Sequence, residues 1–208
     1  MDQKVRSEFK DLGALLLRSG RAARIINLIT LYRIITFPLL IALALTGKTV
    51  LFKWMLLASF LTDAIDGFLA RKYKAFSILG AKLDSIGDDL TILAATAALM
   101  LQHWDFIKEQ AAVFIILFCL FILQLVAALL RYGKMSTFHT YLAKTAAVIT
   151  ALFLLSVFFL GSISYTLFYT AALVTGIELL EEIVLVLKLP DYRTNVKGLY
   201  WVWRGSKR

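Results

Sequence analysis

The chain has 208 residues, 60% of them hydrophobic and 18% charged, with a mean hydropathy of +0.78. A soluble domain of this length has no use for so much apolar surface, so the composition excludes an ordinary soluble protein. The net charge of +9 sits in short clusters between apolar runs, which suits a membrane surface and not nucleic acid.

Residues 1–24 set Phe9, Leu12, Leu15, Leu16 and Leu17 against Lys4, Lys10, Arg18, Arg21 and Arg24. That pattern predicts an amphipathic helix lying in the membrane surface, too charged for a cleavable secretory leader. Six apolar runs follow, at roughly 28–47, 50–70, 79–102, 110–130, 142–161 and 165–188. Each approaches the ~20 residues that cross a bilayer as a helix. The expected fold is therefore an all-α integral membrane protein: six transmembrane helices in one domain, residues 25–190, preceded by the interfacial helix. Pro38 should kink the first span and Pro190 close the last. The lone Cys119 lies mid-span, lipid-facing or packed, and a single cysteine allows no disulfide within the chain. Residues 191–208 form a basic, aromatic tail in which Tyr192, Tyr200, Trp201 and Trp203 suit an interface.

Lys and Arg crowd the N-terminal segment, residues 71–74, residues 131–134 and the tail. The alternate loops hold only Lys48, Lys53 and Lys108. With six spans the basic segments share one side, which places both termini in the cytoplasm.

Against this background the stretch LTDAIDGFLARKYKAFSILGAKLDSIGDDL, residues 61–90, carries Asp63, Asp66, Asp84, Asp88 and Asp89. Asp63 and Asp66 are spaced i, i+3, and Asp84 and Asp88 i, i+4, so each pair shares a helix face and two neighbouring helices can bring the pairs together. Four ionised carboxylates in a partly apolar site repel unless protons or cations neutralise them. The ligands are all oxygen, which suits a hard cation: Mg²⁺ first, then Mn²⁺ or Ca²⁺, with two ions balancing four carboxylates better than one. Solvated acids at helix ends are the plainer reading. Gly67, Ala70 and Gly80 stand beside the acids and allow close approach of a helix or a ligand. Arg71 could grip phosphate oxygens or simply mark the cytoplasmic side.

The pattern Asp63-x-x-Asp66-Gly67-x-x-Ala70-Arg71, then Gly80-x-x-x-Asp84-x-x-x-Asp88, resembles the signature of the CDP-alcohol phosphotransferase family at all eight fixed positions. The resemblance implies a membrane enzyme of six helices, usually a homodimer. Such enzymes move a phosphatidyl or other substituted phosphate from a CDP-linked donor to an alcohol and release CMP. It implies that Asp63, Asp66 and Asp84 are metal ligands, and that Asp88 is the general base near a second metal. Gly67, Ala70, Arg71 and Gly80 would cradle the cytidine diphosphate. The run Asn27-x-x-Thr30-x-x-Arg33 is similar to one that lies close to the nucleotide in bacterial phosphatidyltransferases. On the residues alone, Asn27 and Thr30 could instead start a helix, and Arg33 could snorkel to the interface.

For the acceptor, Arg131, Lys134, His139 and Lys144 gather cationic groups suited to an alcohol that carries its own phosphate. The run resembles the matching loop of phosphatidylglycerophosphate synthases, which implies CDP-diacylglycerol as donor and glycerol 3-phosphate as acceptor. One departure stands out: those synthases usually read Asp-Pro-x-Ala-Asp-Lys where this chain has DSIGDD, residues 84–89, so inositol phosphate is the main rival. Glu178, Glu181 and Glu182 are unusual in a membrane helix and either shape the acceptor pocket or pair structurally. Two other classes compete. An ion-coupled transporter would carry its acids near the bilayer midplane on broken helices. A non-catalytic scaffold would have no need of an intact aspartate set. A bacterial inner membrane is the expected location.

Overall fold

The computed structural model describes residues 21–73, 78–133, 138, 140–190 and 196–205, with side chains except at 21–31, 64, 66–73, 78–85 and 205. Most of the expected amphipathic helix, with Lys134, His139 and Tyr192, lies outside the described residues. Residues 21–24 already belong to the first helix, α1, Arg21–Leu45. It is followed by α2, Thr49–Tyr73, α3, Ile78–Gln102, and the short α4, Trp104–Glu109. Then come α5, Ala111–Tyr132, α6, Tyr141–Leu160, α7, Tyr165–Lys188, and the short α8, Leu199–Gly205.

Each of the six apolar runs thus has its own long helix, 20 to 25 residues. A 25-residue helix is about 37 Å long, more than a hydrocarbon core of about 30 Å requires. Among the described residues, α5 and α6 are long and apolar enough to cross a membrane, and α1 adds a shorter apolar stretch, Tyr32–Leu45. Little of α5 or α6 is buried. Ile115, Ile116, Phe118, Leu123 and Leu130 face outward on α5, as do Val148, Leu152 and Leu160 on α6. The buried core helix of a soluble protein would not present that face, whereas lipid would cover it. Cys119 is exposed among these residues.

The chain divides into two compact units, residues 1–98 and 99–208. In the first, residues 46–48 turn α1 back along α2. Gly47 takes φ +66°, a left-handed conformation that glycine adopts without strain. Pro38 sits inside α1 as expected. Leu40, Leu43, Phe52, Leu56, Ala94 and Ala95 fill the core.

In the second unit α7 packs along both α5 and α6. Gly133 and Gly161 end α5 and α6 in left-handed caps, and Thr140 and Ser164 accept backbone N–H groups at the starts of α6 and α7. At one end Phe106 of α4 meets Phe114, Phe153, Tyr165 and Phe168 edge-on or tilted. Exposed Asp105 there is held below the usual carboxylate range by a hydrogen bond and the charge of Lys108.

At the other end residues 196–202 dock on the second unit. Val196 N–H donates to the Phe138 carbonyl at 2.8 Å, and Leu199 N–H to Glu181 Oε1 at 2.9 Å. Val196, Leu199 and Val202 pack on Phe138, Leu185, Val186 and Leu189. Gly198, at φ +144°, leaves room for this: a Cβ there would stand 3.1 Å from Glu181 Oε1. Trp201 and Trp203 keep exposed faces, with Lys188 Nζ 4.8 Å over the Trp203 ring.

Candidate functional site

The aspartates of residues 61–90 lie in the first unit, on the last half of α2 and the first half of α3. Asp63 comes ten residues before the end of α2, and Asp88 ten residues after the start of α3. Ten residues are about 15 Å along a helix axis. Arg33 lies 12 residues before the end of α1, and Asp63 lies 14 after the start of α2, so the 46–48 turn brings these two level.

The side chains meet there. Arg33 Nη1 donates to Asp63 Oδ1 at 2.7 Å and also to Asp88 Oδ1. The guanidinium is 1% exposed, and the carboxylates are 38% and 36% exposed. A guanidinium buried without anions costs several kcal/mol, so the two aspartates make its burial possible. At an effective dielectric of about 20, unit charges about 4 Å apart interact by about 4 kcal/mol, reduced here because the carboxylates reach solvent. Among the described side chains, one positive charge here meets two negative ones.

Small residues and back-bonded threonines shape the surroundings. Gly87 is buried beneath the guanidinium, and a Cβ on it would lie 3.4 Å from Arg33 Cζ. The buried hydroxyls of Thr36 and Thr91 donate to the carbonyls of Arg33 and Gly87 at 3.0 and 2.8 Å. Ser59, one turn before Asp63 on α2, is buried and its hydroxyl has no partner among the described residues.

This arrangement corrects the snorkelling alternative for Arg33, which is buried on its carboxylates. It also corrects the helix-start alternative for Asn27 and Thr30, because α1 begins at Arg21. The signal was present in the sequence: an arginine inside an apolar run itself demands a partner.

Asp66 lies on α2 one turn beyond Asp63, and Asp84 on α3 one turn before Asp88; both side chains are outside the described ones. Gly67, Ala70 and Arg71 complete α2, Gly80 stands in the first turn of α3, and Asn27 and Thr30 precede Arg33 on α1. Along α1 and α2 these residues lie farther from the 46–48 turn than Arg33 and Asp63 do. Asp89 is exposed. Among the described residues no three His, Cys, Asp or Glu side chains form a metal-binding group. The two described aspartates of the motif nevertheless converge on one cationic nitrogen, and their oxygen-only chemistry fits a hard divalent ion.

In the second unit, Arg131 is exposed at the end of α5 and its Nε donates to the Leu189 carbonyl at 3.1 Å. Tyr132 hydroxyl donates to the same carbonyl at 2.9 Å. Lys144 is exposed in the first turn of α6, its Nζ 5.5 Å from the Tyr141 ring centre. Of the three glutamates of α7, Glu182 accepts from Gln124 Nε2 of α5 at 2.6 Å, and Glu181 caps the start of α8. These two have structural partners.

Neither the curated proteins nor the solved structures include a significant match to this chain. The family described as CDP-alcohol phosphatidyltransferase does match, over residues 24–178, a span that holds α2, α3 and the whole aspartate motif. That match takes in about three quarters of the sequence. The chain therefore belongs to the CDP-alcohol phosphatidyltransferase family, integral membrane enzymes that transfer a substituted phosphate from a CDP-alcohol in phospholipid synthesis.

Proposed function

We propose that the chain transfers the phosphatidyl group of CDP-diacylglycerol to glycerol 3-phosphate and releases CMP. The observation that carries this reading is the convergence of Asp63 and Asp88, from two helices, on one cationic position. The family is generally dependent on a divalent metal. Asp63, Asp66, Asp84 and Asp88 would hold Mg²⁺, with Mn²⁺ as a substitute and two ions as the expected count. Bound there, the metal supplies positive charge to the diphosphate of the donor.

The protein's own groups do the rest. Arg71 grips phosphate oxygens, while Gly67, Ala70 and Gly80 let the nucleotide lie against the helices, with Asn27 and Thr30 alongside. Asp88 accepts the proton of the acceptor hydroxyl. The hydroxyl oxygen forms its new bond to the phosphatidyl phosphorus as the bond to CMP breaks. Arg131, Lys134, His139 and Lys144 recognise the acceptor's own phosphate by charge. All six long helices span the bilayer, residues 1–24 lie at its surface, and residues 191–208 stay on the cytoplasmic side with the site. The assembly is a homodimer in a bacterial inner membrane.

The test is CMP release by purified protein in detergent with CDP-diacylglycerol and Mg²⁺. Glycerol 3-phosphate, inositol phosphate, serine and no acceptor form the arms. Release is expected with glycerol 3-phosphate and is abolished by EDTA. Release only with inositol phosphate would transfer the assignment to the rival that DSIGDD favours. No release with any acceptor would overturn the reading. Arg131→Ala is expected to raise the acceptor KM about tenfold and leave the donor KM within twofold. An unchanged acceptor KM would put the phosphate pocket elsewhere.

A further inference from the structure

The buried guanidinium on Asp63 and Asp88 has no place in the chemistry just described, yet it occupies two of the four carboxylates that this chemistry needs. We propose that Arg33 is the resident counter-cation of the site. It holds the two carboxylates together while the metal is absent, and it yields at least one of them when a divalent ion arrives. The inference rests on the metal-binding reading of the aspartates.

Three observations support it. First, a single nitrogen, Nη1, contacts carboxylates from both α2 and α3, so Arg33 ties together the helices that carry the motif. Without a cation, two carboxylates this close would repel and spread the helices or take up a proton. Second, a Cβ built on Gly87, one residue before Asp88, would lie 3.4 Å from Arg33 Cζ, so the guanidinium sits close against this turn of α3. Glycine at 87 thus leaves open the space beside the guanidinium, which a Cβ would already touch. Third, both carboxylates retain solvent access while the arginine has almost none. An ion can reach the carboxylates from their open side without removing Arg33 from the protein.

The consequence is competition. Arg33 keeps the ligands preorganised, but its charge opposes an incoming divalent ion at the same oxygens. Arg33 is thus a positioning residue that lowers metal affinity in exchange for an ordered metal-free site.

The probe is Mn²⁺ alone, titrated into the full-length protein in detergent and followed by electron paramagnetic resonance, with melting curves in EDTA and in Mn²⁺. Arg33→Gln is expected to bind Mn²⁺ about tenfold more tightly than the parent. It should melt lower in EDTA and gain more from Mn²⁺. Mn²⁺ affinity equal to or weaker than the parent's would overturn the proposal. Should Arg33→Gln fail to fold, Arg33→Lys decides. A lysine ammonium keeps the charge but not the planar fork, so a few-fold gain in Mn²⁺ affinity is expected, and no gain overturns the idea. Asp63→Asn and Asp88→Asn in the same titration separate the layers. Loss of Mn²⁺ binding in both, with Arg33→Gln behaving as the parent, removes the role of Arg33 alone. Parental Mn²⁺ binding in both removes the metal reading and this inference with it.

Discussion

Asp88→Asn is expected to cut CMP release by roughly 10³- to 10⁴-fold, the upper part of what a positioned proton acceptor contributes. Asparagine has the shape of aspartate and its carbonyl oxygen can still accept from Arg33, so the junction of α1 and α3 should persist. What disappears is the negative charge and the ability to take a proton from the acceptor hydroxyl. The variant should therefore melt within a few degrees of the parent while losing turnover. Activity within tenfold of the parent would remove Asp88 from the role of base. A large fall in melting temperature would mean that the Arg33 pairing, not proton transfer, is what the substitution reports. Asp63→Asn makes the contrast. It removes a charge from the same guanidinium but no proton acceptor, so its activity should recover at high Mg²⁺ where that of Asp88→Asn does not.

The all-helical architecture was legible because long apolar runs are written in composition. A helix that must satisfy its backbone internally and face lipid needs a long apolar run, and six such runs became six long helices with ends displaced by a few residues. The largest displacement is at the start, where α1 begins at Arg21 and not near residue 28. Charged residues at 21–24 hid that helical turn, since apolar runs mark hydrocarbon contact and not helix ends. The motif was legible for another reason: i, i+3 and i, i+4 spacings place acids on one face whatever the tertiary packing.

What spacing does not encode is which residue from a distant helix answers a charge. The contact between Arg33 and Asp88 is 55 residues long-range, and nothing local to either position announces it. The same holds for Gln124 with Glu182 and for Glu181 with the start of α8. The carboxylates of α7 read as possible pocket residues until their partners are known. The tail is a further case. Its aromatic and basic residues suit an interface, and the exposed faces of Trp201 and Trp203 agree, but Val196, Leu199 and Val202 dock on the second unit. A period of three over so few residues carries too little pattern to reveal a buried face.

The second large effect is on stability. The double variant Asp63→Ala/Asp88→Ala is expected to lower the melting temperature in EDTA by about 5–10 °C. The cause is Arg33, left 1% exposed with neither carboxylate. Removing the partners of a buried charge costs about 3 kcal/mol or more, whereas replacing the whole ionic group by apolar side chains is close to neutral. Adding Arg33→Met to the double variant should therefore recover at least half of the loss, because the buried charge that lost these two carboxylates is gone and methionine adapts to the space beside Gly87. The sign is the informative part. If the three side chains contributed independently, the triple variant would melt lowest of all. If the carboxylates serve to make a buried arginine tolerable, the triple variant melts above the double one, and the non-additivity measures the coupling directly. A triple variant that melts below the double variant would show that Arg33 stabilises the first unit through its packing, and the two aspartates would then owe their positions to something other than its charge.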